Sequence, residues 1–152
     1  MRVCLQRVSR AAVSVKNQIC GQIATGMVVL LGVSTEDTEA DIEWMTKKIL
    51  HLRFFSDEAG QMNRSILDIE GEMLIVSQFT LFGDCRKGRR PSFVQAAAPE
   101  QAEGFYETFI QHTRAAGVTV ATGKFRADMQ VELVNDGPVT LWLDSKDARR
   151  GQ

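Results

Sequence analysis

A chain of 152 residues with a net charge of −1 has the size of one domain and can bury a full core without metal or disulfide staples. Hydrophobic residues at 44% and charged residues at 24% exclude a disordered or collagen-like chain, and the longest apolar run, residues 27–31, is far short of the roughly 18 a membrane span needs. Arg2, Gln6, Arg7 and Arg10 interrupt every early apolar stretch, and Cys4, Cys20 and Cys85 form no CxxC pair, so a free-thiol protein of the cytoplasm with no bound metal or cofactor is expected.

Residues 2–10 alternate, with Val3 and Leu5 turned one way, and predict a strand. Residues 12–15, the polar turn Lys16-Asn17-Gln18 and residues 19–24 predict a hairpin. Gly26 to Val33 is short, continuous and apolar, as a fully buried strand is. The period then changes. Ile42, Met45, Ile49 and Leu52 recur at helical spacing, with acids leading (Glu36, Asp37, Glu39, Asp41) and bases closing (Lys47, Lys48, Arg53). Past a polar loop around Gly60, residues 72–82 predict another apolar strand. Pro99 opens a second helix, whose apolar face is Ala102, Phe105, Phe109 and Ile110. Residues 118–120, 125–134 and 139–143 predict three closing strands. The class is therefore α+β: a single domain over residues 1–143, with a curved, mostly antiparallel, barrel-like sheet and two helices. Residues 144–152 are polar and are expected to form a disordered tail.

Common catalytic machinery is missing. The two histidines, His51 and His112, both fall in helical patterns and read as surface residues. The acid pairs Asp57/Glu58 and Asp68/Glu70 fall in turns, and there is no HExxH, P-loop or GxGxxG. An enzyme built from this chain would have to work through backbone amides or through its substrate's own groups.

Two segments do not read as scaffold. In Ser77-Gln78-Phe79-Thr80-Leu81, polar groups break into an apolar strand. Alternation puts Gln78 and Thr80 on one face and Ser77, Phe79 and Leu81 on the other, as a satisfied core network or as a pocket wall. Asn135-Asp136-Gly137-Pro138-Val139-Thr140 has the composition of a turn between two strands. A third feature is Arg86, Lys87, Arg89 and Arg90, four cations in five positions of a chain whose pI is near 6.1. They form a solvated loop or a phosphate-binding one, and Gly88 and Pro91 give it a shape.

Together these segments resemble the D-aminoacyl-tRNA deacylase family. The likeness runs from Met1-Arg2-Val3 to Trp142, through Arg7-Val8, Gly32-Val33, the motif from Ser77 to Leu81, and Arg86-Lys87-Gly88 with Arg90-Pro91-Ser92-Phe93. It continues in Gly123-Lys124-Phe125 with Ala127-Asp128-Met129, and in the segment from Asn135 to Thr140. The resemblance implies a homodimer that hydrolyses the ester joining a D-amino acid to the 3′ end of tRNA. It implies a pocket around Ser77, Gln78, Phe79 and Thr80, with Phe125 and Met129 lining it. It implies a cis bond between Gly137 and Pro138, which reach into the other subunit's pocket and exclude L-amino acids. Gln78 and the amides of Phe79 and Thr80 are the expected oxyanion and substrate anchors, and Arg86, Lys87, Arg89 and Arg90 the expected contacts to the tRNA backbone. Glycine mischarged on tRNA(Ala) would also be accepted. The alternative is a nucleic-acid-binding module without catalysis. Two positions depart from the family pattern: Arg126 stands where a small residue is usual, and Cys85 where a hydroxyl residue is usual.

Overall fold

The computed structural model describes residues 1–149. Strand β1, Arg2–Val15, is the spine. Its C-terminal half turns at Lys16 and Asn17, both left-handed (φ 49° and 63°), into antiparallel β2, Gln18–Ile23. Its N-terminal half pairs antiparallel with β3, Gly26–Gly32, from Arg2 opposite Gly32 to Val8 opposite Gly26. The hairpin and the buried third strand are therefore as expected.

Helix α1, Glu39–His51, follows. The Asp41 carboxylate accepts from the amide and hydroxyl of Thr38 (2.8 and 3.0 Å), which satisfies a first-turn donor. The polar loop around Gly60 holds a two-stranded hairpin that the sequence reading did not resolve, β4 Phe55–Ser56 and β5 Met62–Arg64. Asp57 and Asp68, candidate acids by sequence, are turn residues here: Asp57 accepts from the amides of Ala59 and Gln61, and Asp68 from that of Ser65.

Strand β6, Glu72–Ser77, lies parallel to β3, and β7, Thr119–Thr122, lies parallel to β6. Parallel neighbours need crossovers, which α1 and then α2, Pro99–Ala115, provide. The end strands meet, since a Cβ on Gly21 of β2 would lie 2.6 Å from the Thr122 carbonyl of β7. The sheet order β2-β1-β3-β6-β7 thus bends almost into a barrel, with three antiparallel and two parallel pairings and both helices outside. Alternation explains the unbroken apolar runs. Val28, Leu74 and Val76 fill the barrel with Val8, Val13 and Ile23, while Met27, Val29, Leu31, Met73 and Ile75 face Ile42, Met45, Ile49 and Phe109 of the helices.

Three expectations are corrected. The strand expected over residues 72–82 stops at Ser77, and Phe79–Phe82 is a 3-10 helix, so Gln78 and Thr80 do not share a strand face. The last two strands are one, β8 Gln130–Asp144, paired with β1 from Ser14 opposite Gln130 to Arg2 opposite Asp144. Residues 125–129 are a turn leading into it. The expected turn at Asn135 is a bulge inside β8: the register passes from Gln6 opposite Thr140 to Val8 opposite Asn135, which leaves residues 136–139 out of the ladder.

Residues 144–149, expected to lie in a polar tail, have regular structure. Asp144 ends β8, and Ser145–Arg149 form a 3-10 helix. Ser145 is buried, donates to Asp41 (2.7 Å) and accepts from the amino group of Met1 (2.8 Å), which is itself paired with Asp37. Residues 150–152 lie outside the described residues.

Candidate active site

Where β6 gives way to the 3-10 helix, a cavity of about 600 Å³ opens between that junction, the start of α2 and the turn at residues 125–129. Gly32 permits the junction, because a Cβ there would lie 2.9 Å from the Gln78 carbonyl and 3.2 Å from the Phe82 ring. The Gln78 amide donates back to Leu31 (2.8 Å), which anchors the chain as it leaves the sheet. The wall is apolar (Leu31, Val33, Val76, Phe79, Phe93, Phe125, Met129, Val131) except for Ser77, Gln78 and Arg126. Among the described residues no histidine, cysteine, aspartate or glutamate lines it.

Ser77, Gln78, Phe79, Phe125 and Met129, expected at one site, meet on this wall. Thr80 is exposed at its edge, and its hydroxyl accepts from the Gln78 amide nitrogen at 2.5 Å. The amides of Phe79 and Thr80 open the 3-10 helix, where the first N–H groups have no acceptor within the helix. Phe79 is 54% exposed and stacks edge-on against Phe93 (5.1 Å between ring centres). Phe93 and the stretch 96–99 complete the wall. Sequence reasoning missed this segment as lining, although Phe93 lay in a family motif. Tyr106 backs Phe125 (5.8 Å) and donates to the Ile75 carbonyl (2.8 Å); burial pushes its hydroxyl up to about 12, so it is a structural group, not an acid or base.

Gly137 and Pro138 do not line this cavity; they sit exposed on the bulge of β8, joined by a cis bond. The bulge is closed by the Val139 amide donating to Asn135 Oδ1 (2.7 Å) and by Asn135 Nδ2 donating to the Thr140 hydroxyl (2.9 Å). Arg7 spans from it to the β4 hairpin, donating to the carbonyls of Asp136 (2.9 Å) and Phe54 (3.3 Å). Gly137 has φ 138°, and a Cβ on it would lie 2.8 Å from Val139 Cγ2, so only glycine fits.

The basic loop is also apart from the cavity. Asp84 and Ser92 exchange backbone bonds at its base (2.8 and 2.9 Å), and Gly88 turns it with φ 71°. Arg86 is held in the loop: its guanidinium forks onto Asp84 (2.6 and 2.9 Å) and keeps that carboxyl well below the usual carboxylate range. Lys87, Arg89 and Arg90 are exposed. His51 and His112 are exposed on their helices, as expected.

A second depression, about 540 Å³ between β1, β2 and β8, holds Arg10, Glu72 and Glu132. Glu72 is bound to the Ala24 amide (2.6 Å) and Glu132 pairs with Arg10 (4.0 Å), so the charged groups of this depression are engaged with the fold.

Comparison with known proteins decides the family. A family model described as D-Tyr-tRNA(Tyr) deacylase matches residues 4–144. The chain belongs to that family. Its members act as hydrolases on aminoacyl-tRNA esters. It is 58% identical to the D-aminoacyl-tRNA deacylase of Desulfotalea psychrophila, covering 96% of this chain and 98% of the relative. It is 55% identical to the protein of the same name from Thermomicrobium roseum, covering 99% and 98%. Among solved structures, the c-Myc DNA Unwinding Element Binding Protein superposes with a TM-score of 0.89 at 45% identity, covering 95% of this chain and 98% of that one. A probable eukaryotic D-amino acid tRNA deacylase at 21% identity shares the fold (TM-score 0.84, covering 93% and 97%).

Proposed function

We propose that this chain works in the cytoplasm as a homodimer that hydrolyses the ester of D-aminoacyl-tRNA. Water adds to the acyl carbon, the bond to the ribose oxygen breaks, and free D-amino acid and tRNA leave. The observation that carries this is a mostly apolar cavity whose polar lining among the described residues is Ser77, Gln78 and Arg126, without a carboxylate or histidine, and beside which the amides of Phe79 and Thr80 open a 3-10 helix.

An aminoacyl ester on tRNA is already activated, and its ribose carries a neighbouring hydroxyl. Such a substrate needs holding, donors for the developing oxyanion and access for water. Gln78 orients the ester carbonyl, and the two amides stabilise the charge that grows on its oxygen. Thr80 positions Gln78 and does not attack. The exposed cations Lys87, Arg89 and Arg90, with Arg86 shaping the loop, hold the tRNA backbone.

Chirality is selected by main chain. Gly137 and Pro138 of the partner subunit stand against the Cα hydrogen of a D-residue. A wall there admits D-residues and glycine, including glycine mischarged on tRNA(Ala), and collides with every L side chain. Their exposure on the bulge, outside their own cavity, supports delivery across a subunit boundary.

A second reading is a binding module without turnover, favoured by the name of the 45%-identical structure. Incubation with D-Tyr-tRNA, L-Tyr-tRNA and Gly-tRNA separates the two. Loss of the D and glycyl esters with the L ester intact is expected. Binding without ester loss would leave the binding module, and a related editing deacylase for L-alanine would instead cleave L-Ala-tRNA.

A further inference from the structure

We infer that Arg126 is a substrate-binding residue, which grips the phosphodiester on the 5′ side of the terminal nucleoside of the aminoacylated strand. The inference rests on the deacylase reading above.

Three observations converge on it. The Ala127 amide donates to the Lys124 carbonyl (3.1 Å), closing a four-residue turn in which Arg126 holds the third position with φ 64°. Positive φ at that position suits glycine, and a long side chain there is strained. Folding does not compensate for that strain. Among the described residues Arg126 forms no ion pair and no side-chain hydrogen bond, Asp128 two positions on included, and the side chain is exposed. Third, Arg126 is the one charged side chain that the described residues place on the wall of the candidate cavity. A cation kept at a strained place, unused by the fold and set on a binding cavity, points to a ligand.

Charge identifies the ligand. The amino acid end of the substrate carries an ammonium, which a guanidinium repels. The ester, ribose and base are neutral. The anion left within an aminoacyl-nucleotide end is its phosphodiester, which the guanidinium fork fits in two-point geometry.

The test compares Arg126→Gly and Arg126→Lys with wild type on two substrates, D-Tyr-tRNA and the phosphate-free D-tyrosyl ester of adenosine. Arg126→Gly should raise KM for D-Tyr-tRNA about tenfold, the size of one charge-assisted contact, and leave kcat within about twofold. Its salt dependence should flatten by about 0.7 log units per decade, one single-strand phosphate. The adenosine ester should be cleaved as before, and Arg126→Lys should recover most of the affinity. Arg126→Gly should melt no lower than wild type. Equal losses on both esters, no loss on either, or a lowered melting temperature would each overturn the assignment. Wild-type protein inert on both esters would overturn the deacylase reading instead. The salt slope of uncharged tRNA binding, wild type against Arg126→Gly, would then still decide whether the phosphate contact exists.

Discussion

Thr80 is the hydroxyl a nucleophilic mechanism would choose, and its surroundings argue against that role. It accepts a hydrogen bond from Gln78, it sits at the cavity edge, and no base lies on the wall beside it. Thr80→Ala should therefore keep kcat within about tenfold of wild type, since one neutral hydrogen bond is worth about 0.5–1.5 kcal/mol. A drop of the many orders of magnitude that follows loss of a nucleophile would sink the amide-based mechanism. Tyr106 offers a different residue-scale test. Its folded pKa of about 12 lies above the ordinary 10.0, so the native state binds the proton more tightly than the unfolded chain. Its contribution is whole below pH 10 and is lost as pH rises through 12, to about 2–3 kcal/mol at most. Urea melts across that range should show the decline, and a flat profile would count against the buried hydroxyl. These residue identities were legible as a motif. Their geometry was not, because alternation assumes a strand, and the chain leaves the strand at Ser77 once Gly32 lets it pack across β3.

At the scale of elements, the regular pieces were readable wherever period and caps agreed. Both helices and the first three strands followed from spacing, Pro99 and the acidic entry to α1. The failures share a cause. Asn, Asp, Gly and Pro at residues 135–138 are turn residues, yet a bulge uses the same residues, and only the pairing of β8 with β1 on both sides of them decides between the two. The polar segment after Asp144 misled likewise, since Ser145 is buried for its hydrogen bonds and not for apolar area. Ser145→Ala should lower stability by about 1–3 kcal/mol, because the buried amino group of Met1 loses an acceptor and Asp41 a donor. An unchanged urea midpoint would mean that this 3-10 helix does not hold in solution. The basic loop divides into a frame and a face. Lys87→Glu with Arg89→Glu should weaken tRNA binding and flatten its salt dependence by roughly 0.7–0.9 per lost contact, with little change in melting. An unaltered slope would return the loop to mere solubility.

For the molecule as a whole, β8 is the unusual feature. Among the described residues it pairs only with β1, so one side of a fifteen-residue strand is an open edge. Long open edges are normally blunted by charge or covered. Here Val131, Val134, Leu141 and Trp142 are each exposed by more than a third, and Trp142 reaches 51%. The same strand carries the Gly137–Pro138 bulge, and the cavity that Gly137 and Pro138 are proposed to complete lies on the same chain without them. A two-fold pairing would meet both needs, covering apolar surface and bringing each bulge to the other copy's cavity, as a self-complementary patch does. The wild-type protein at micromolar concentration should therefore sediment at twice the mass of a single chain. Leu141→Glu places a charge on the exposed stretch and should shift that equilibrium toward single chains. Rejection of L-Tyr-tRNA should be lost in step with the loss of dimer, because each cavity then loses its chiral wall. A single-chain species that cleaves D-Tyr-tRNA at full rate and still spares L-Tyr-tRNA would place the selecting wall within one subunit, and the bulge would need another role.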